Sequence, residues 1–228
     1  MGPRTVNTLP ANLVRAFWVL LALLFAADIA LLKTFTPTEA TMGQIQMIFY
    51  LHLPAAINTF LACLTTFLAS IAYLWQRSAW LDDLASAAGR VAVQLCAVVL
   101  ATGMFWGRGA WGVWWTWSPR LTFSLVLFLL YVVYLVLRSS IEGRQRRAAI
   151  AAVYAVIAFL DVPLVWLSAR LMPDIHPGAV HLETTMKITL AAWFVPITLM
   201  TAGLIFARFN LNRRQAQAGI AALVGGAI

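Results

Sequence analysis

Three histidines are the only imidazoles of this 228-residue chain: His52, His176 and His181. His52 lies in Phe49-Tyr-Leu-His-Leu-Pro-Ala-Ala56, and His176 in the turn-rich Arg170-Leu-Met-Pro-Asp-Ile-His-Pro-Gly178. Between them runs Trp106-Gly-Arg-Gly-Ala-Trp-Gly-Val-Trp-Trp-Thr-Trp-Ser-Pro-Arg-Leu-Thr122, with five of the ten tryptophans. Neutral imidazole is a good axial ligand for haem iron, and rigid indoles offer a broad face to a flat apolar molecule. One histidine from each of two connections could hold a porphyrin edge-on against the indoles. Arginine would meet the propionates through charge-assisted hydrogen bonds. Arg120 is the leading candidate, with Arg108, Arg170 and Lys187 behind it. Singly, each feature has a plainer reading: an interfacial histidine bonded to a carbonyl, solvated loop histidines, and tryptophans anchoring the chain at a membrane surface.

Trp111, Trp114 and Trp115 stand at i, i+3 and i+4, a spacing that predicts three indoles on one face of a short amphipathic helix. Trp117 falls off that stripe, and Ser118-Pro119 ends it. Zinc is a weaker reading, since no histidine pair at i, i+4 and no adjacent cysteine is present. Cys63 and Cys96 sit in apolar runs and read as small buried hydrophobes. Without Cys-x-x-Cys-His, the chain has no such site for covalent c-type haem.

The elements that must position these residues follow from composition. The chain is 62% hydrophobic and 11% charged, more apolar surface than a water-soluble domain of this size can cover. It reads as an all-α integral membrane protein, a single domain over residues 1–228. About 20 apolar residues cross a bilayer as helix. Six such runs occur, at about 13–32, 54–74, 87–104, 121–137, 148–167 and 188–206. The first, with Arg4 and Arg15 before it, reads as an uncleaved first helix. Pro196 is expected to bend the sixth.

The +8 net charge punctuates these runs rather than forming a stripe, which argues against nucleic acid. Eleven Lys and Arg fall on one side and five on the other, so both termini are expected in the cytoplasm. The cluster Arg138–Arg147 is the strongest single signal. The first, third and fifth connections of a six-span chain share a side. His52, the tryptophan stretch, His176 and His181 are therefore expected together on the periplasmic side. Asp28 and Asp161 lie within spans, where a charge is costly. Their expected role is hydrogen bonding inside the bundle, or orienting a histidine.

On these residues the chain resembles the haem-handling proteins that carry a tryptophan-rich "WWD" motif. Trp111-Gly-Val-Trp-Trp-Thr-Trp-Ser-Pro-Arg-Leu-Thr122, Tyr50–Ala56 and Leu171–Pro177, with the six-span length, are similar to the CcmC family of system I cytochrome c maturation. The resemblance implies haem b at the outer face, with His52 and His176 as axial ligands. It also implies contacts from Trp111, Gly112, Trp114, Trp115, Trp117 and Arg120. The implied partners are the transporter components CcmA and CcmB, the small subunit CcmD and the haem chaperone CcmE. The implied place is the bacterial inner membrane, and the implied role is haem transfer rather than enzymatic conversion.

One position departs from the motif: Ser118 stands where the family has Asp. Asp174 or Glu183 is the candidate replacement for that anion, and His181 matches no family ligand. Three other readings stand beside it from the residues alone: a b-type cytochrome moving electrons, a channel carrying haem through its own bundle, and a subunit whose tryptophan face docks protein or lipid.

Overall fold

The computed structural model describes residues 10–171 and 182–225. Its helices are α1 Ala11–Thr34, α2 Met47–Gln76, α3 Ala79–Trp111, α4 Pro119–Ser140, α5 Arg144–Ala158, α6 Asp161–Leu171 and α7 Thr184–Gly225. With α5 and the start of α6 counted as one, six segments are long and apolar enough to cross a membrane. Each encloses one of the expected runs. His176 and His181, and with them Asp174, lie outside the described residues.

The scaffold centres on the antiparallel hairpin of α2 and α3. Arg77, in the left-handed conformation at φ 52°, ends α2 by donating its N–H to the Tyr73 carbonyl at 2.8 Å. Ser78, extended, precedes α3. The tight turn holds the two helices together because their facing positions are small. Ala55, Ala62 and Ala69 recur at heptad spacing on α2, and Ala85, Ala88 and Ala92 line the buried side of α3. Small residues let helix backbones approach closely where lipid provides no hydrophobic drive for association. Hydroxyls on α2 bond back along the helix, Thr59 to the Ala55 carbonyl and Thr66 to that of Ala62, both at 2.9 Å.

The remaining helices pack around this pair. Tyr131 of α4 donates to the Cys63 carbonyl at 3.3 Å, and Tyr131, Cys63, Ala92 and Val165 share one apolar cluster. Cys63 and Cys96 are buried free thiols, as their apolar surroundings predict. α7 is fastened to α2 by Asn58, whose Nδ2 donates to Thr198 Oγ1 at 3.1 Å. α1 rests chiefly on α7. There Gly203 admits Phe17, whose Cε1 would lie 2.6 Å from an added Cβ.

One end of the bundle is polar and clamped. Arg138, at the end of α4, holds both carboxylate oxygens of Asp82 near the start of α3, at 2.5 and 3.0 Å. Arg144, opening α5, reaches Asp83 at 3.1 Å, and Asn212 of α7 donates to the Asp83 carbonyl at 3.1 Å. The arginine cluster read as a topology signal thus also joins α3 to α4 and α5, and Asn212 adds α7.

Four sequence expectations are corrected. Pro54 does not open the second span: α2 begins at Met47, and Pro54 lies inside it. Residues 47–53 are helical because Phe49 and Tyr50 pack into an aromatic cluster with Trp106 and Trp193, and this outweighs the proline. The tryptophan stretch is not a short helix. α3 runs on to Trp111, Gly112 turns left-handed at φ 76°, and no helix resumes before Pro119.

The fifth span is interrupted at Phe159–Leu160, and Asp161 opens the separate helix α6. Asp28 and Asp161 are buried, but the Oδ2 of each meets no hydrogen-bond donor among the described residues. At that oxygen neither shows the expected hydrogen bond inside the bundle among the described residues. Asp28 sits on α1, which touches little besides α7, and Asp161 sits where the helix has already broken.

Candidate functional site

At the other end of the bundle the start of α2, the ends of α3 and α6, and the start of α4 surround a cleft of about 300 Å³. His52, Trp111, Trp114, Trp115 and Arg120 line it together, with Trp106, Trp166 and Arg170. The first and third connections meet at this end, two spans apart in the chain, and the Asp82–Arg138 clamp lies at the other.

His52 stands in the second turn of α2, facing α3. Its Nδ1 is 2.8 Å from Thr102 Oγ1. That hydroxyl gives its own proton to the Val98 carbonyl at 2.7 Å. It therefore accepts from the imidazole, and the ring carries its hydrogen on Nδ1. In that tautomer Nε2 is the nitrogen that carries the basic lone pair, the form an iron ligand takes. Gly103 makes the approach possible, since a Cβ there would stand 3.2 Å from His52 Cε1.

The indoles form a graded series. Trp106 is almost wholly buried and meets Phe49, His52 and Trp111, with centroids 5.7, 5.7 and 6.2 Å away. The His52 contact is edge-on and the Trp111 contact stacked. Trp114 is half-exposed against Phe105, and Trp115 lines the cleft with Trp117 packed edge-on to it at 5.9 Å. Trp117 is 76% exposed and lies outside the lining. Gly112 is also outside it. Its contribution is the turn, in which its N–H bonds the Arg108 carbonyl and its own carbonyl accepts from the Arg108 guanidinium.

The cationic candidates divide in the same way. Arg120 lines the cleft from the first turn of α4, and Arg170 lies 3.9 Å over the Trp166 ring on the facing wall. Arg108 is engaged in closing α3, and Lys187 and Glu183 are exposed residues away from the lining. Ser118 occupies the N-cap position of α4, where its carbonyl accepts from the Thr122 N–H at 2.9 Å.

The sequence reading missed Thr102 and Gly103 as supports of His52, and Trp166 as part of a wall. Their only signal was the helical spacing of Thr102, Gly103, Trp106 and Gly107 along one face of α3, and of Trp166 with Arg170 at i+4.

The described lining, with its indoles, one imidazole and two guanidinium groups, suits a large flat anion. Among the described residues no group of three His, Cys, Asp or Glu side chains gathers. Trp115 Nε1 and Thr116 Oγ1 are buried at the cleft without a hydrogen-bond partner among those residues. Unmet buried polar atoms are costly, and a ligand bearing carboxylates would satisfy such donors.

Fold and site together define a multi-pass helical membrane protein with a histidine-bearing, tryptophan-roofed cleft at one end. The model of the family described as heme exporter protein C, CcmC, matches residues 1–223, and the chain belongs to that family. The heme exporter protein C of Rhodobacter capsulatus is 32% identical over 171 residues, 74% of this chain and 70% of the relative. That of Paracoccus denitrificans is 29% identical over 196 residues, 82% and 81% of the two chains. That of Haemophilus influenzae is 28% identical over 205 residues, 89% and 82%.

Proposed function

We propose that this chain binds haem b at the periplasmic face of the bacterial inner membrane and passes it to the chaperone CcmE during maturation of c-type cytochromes. It does so beside CcmA, CcmB and CcmD, with both termini in the cytoplasm. The observation that carries the reading is His52, held at the cleft by Thr102 with its Nε2 as the acceptor nitrogen, beside the stacked Trp106 and Trp111. Family membership supports the haem-handling role.

In this reading haem is cargo. His52 and His176 are the axial ligands, and Trp111, Trp114 and Trp115 pack against the macrocycle. Arg120 meets a propionate by a charge-assisted bond. Gly112 and Trp117 act indirectly, the first by turning the chain over the cleft and the second by backing Trp115. Cargo must also leave. Imidazole ligands exchange, and the exposed edges of Trp114 and Trp117 give an incoming chaperone a surface to approach. Any covalent step then belongs to the chaperone, and this chain positions the haem.

The deciding experiment is haem titration of purified wild type, His52→Ala and His176→Ala, read by the Soret band, with transfer to CcmE followed in parallel. Each variant is expected to lose stable haem binding or to stall transfer. Normal loading of the chaperone by both would overturn the ligand assignment, and no Soret band in the wild type would favour a docking role for the tryptophan face.

A further inference from the structure

At the end of the bundle opposite the aromatic cleft, α3, α4 and α7 leave a groove of about 430 Å³. Arg90 of α3 and Arg208 of α7 both line it, beside Gln94, and Leu135, Leu204 and Leu211 form its walls. Both arginines are half-buried, and the Nε of each is shielded from solvent without a hydrogen-bond partner among the described residues. The carboxylates at this end do not serve them: Asp82 is held by Arg138 and Asp83 by Arg144. Two like charges therefore share one groove with donors unmet, a repulsive and poorly solvated arrangement. An anion with several acceptor oxygens relieves both penalties. Guanidinium forks match phosphate oxygens in particular.

The position of the pair narrows the choice. Arg90 lies just inside the apolar run starting near Ala87, and Arg208 just beyond the run ending at Phe206. Both are thus at the edge of the hydrocarbon, on helices running in opposite directions. Leu135 and Leu204 lie within their apolar runs, on the interior side of the pair, and Leu211 stands one turn beyond Arg208. Basic pockets between transmembrane helices at this level take lipid headgroups.

We propose that this groove is a binding site for an anionic phospholipid. Arg90 and Arg208 clasp the phosphate, and Leu135 and Leu204 receive the acyl chains. The site is independent of the haem cleft and uses none of its residues.

The test uses the purified full chain, stripped of lipid in neutral detergent, with thermal unfolding followed against phosphatidylglycerol, cardiolipin, phosphatidylcholine or inorganic phosphate. Phosphatidylglycerol and cardiolipin are expected to raise the Tm and phosphatidylcholine to leave it unchanged. Arg90→Gln and Arg208→Gln are each expected to weaken the anionic lipid about fivefold. Equal responses to phosphatidylglycerol and phosphatidylcholine, or a double glutamine variant that responds like wild type, would overturn the site. Inorganic phosphate giving the whole shift would overturn the lipid assignment. Should the glutamine variants not fold, native mass spectrometry decides. Preferential retention of phosphatidylglycerol by wild type, weakened in the double Arg→Lys variant, supports the site; equal retention of the two lipids overturns it.

Discussion

Gly103 of α3 lies so close beneath His52 of α2 that a methyl group at Gly103 would stand 3.2 Å from the imidazole Cε1 and 3.9 Å from Nδ1. The ring thus occupies space left by a missing side chain on another helix. Gly103→Ala is expected to tilt the imidazole and weaken haem binding about tenfold, roughly 1.4 kcal/mol. Gly103→Leu is expected to abolish binding. Soret titration beside circular dichroism separates a misdirected ligand from a lost fold. Unchanged affinity in Gly103→Leu would show that the ring does not need this contact.

Thr102 supplies the second constraint. Thr102→Val keeps the shape but removes the acceptor for the His52 Nδ1 hydrogen, and partners of this kind are typically worth about tenfold or more in affinity. Thr102→Ser is expected to restore binding, because the hydroxyl returns. Rescue by serine and not by valine, measured by haem titration, distinguishes the hydrogen bond from simple packing.

Arg120 is expected to act on the propionates rather than on the ring system. Arg120→Ala should weaken haem about tenfold or more, as loss of a hydrogen bond to a charged group does. Its affinity for the dimethyl ester of haem should match that of wild type. Equal losses for the two ligands would show that Arg120 supports the cleft in some other way.

The clamp at the far end makes a stability prediction. Removing the charge of Asp82 alone leaves the Arg138 guanidinium, whose side chain is only 8% exposed, without its partner. Asp82→Asn is expected to cost about 3–5 kcal/mol, whereas Asp82→Leu with Arg138→Met should be close to neutral. Thermal unfolding in detergent, compared across both variants and wild type, reads the difference.

The six spans were legible because each is a predominantly apolar run of about the length that crosses a bilayer. The gathering of His52 with Trp111, Trp114, Trp115 and Arg120 was legible because the number of crossings is even. Local geometry was less so. The i, i+3, i+4 tryptophans carry a helical period, but Gly112 adopts a positive φ that a period cannot register. Pro54 suggested a helix start, while the Phe49, Tyr50 and Trp106 cluster drew two further turns into α2. Thr102 and Gly103 were invisible because their role exists only across the α2–α3 contact, fifty positions from His52.

Packed helices such as α3 and α4 stand about 8–10 Å apart, yet the residues from Gly112 to Ser118, drawn out fully, would reach about 23 Å. More than half of that linker is slack as far as joining the helices goes. The surplus is what roofs the cleft with Trp114 and Trp115, so its length answers to the cleft and not to the topology. A trimmed linker would leave a chain that still threads the bilayer six times, with an open bowl where the lid had been.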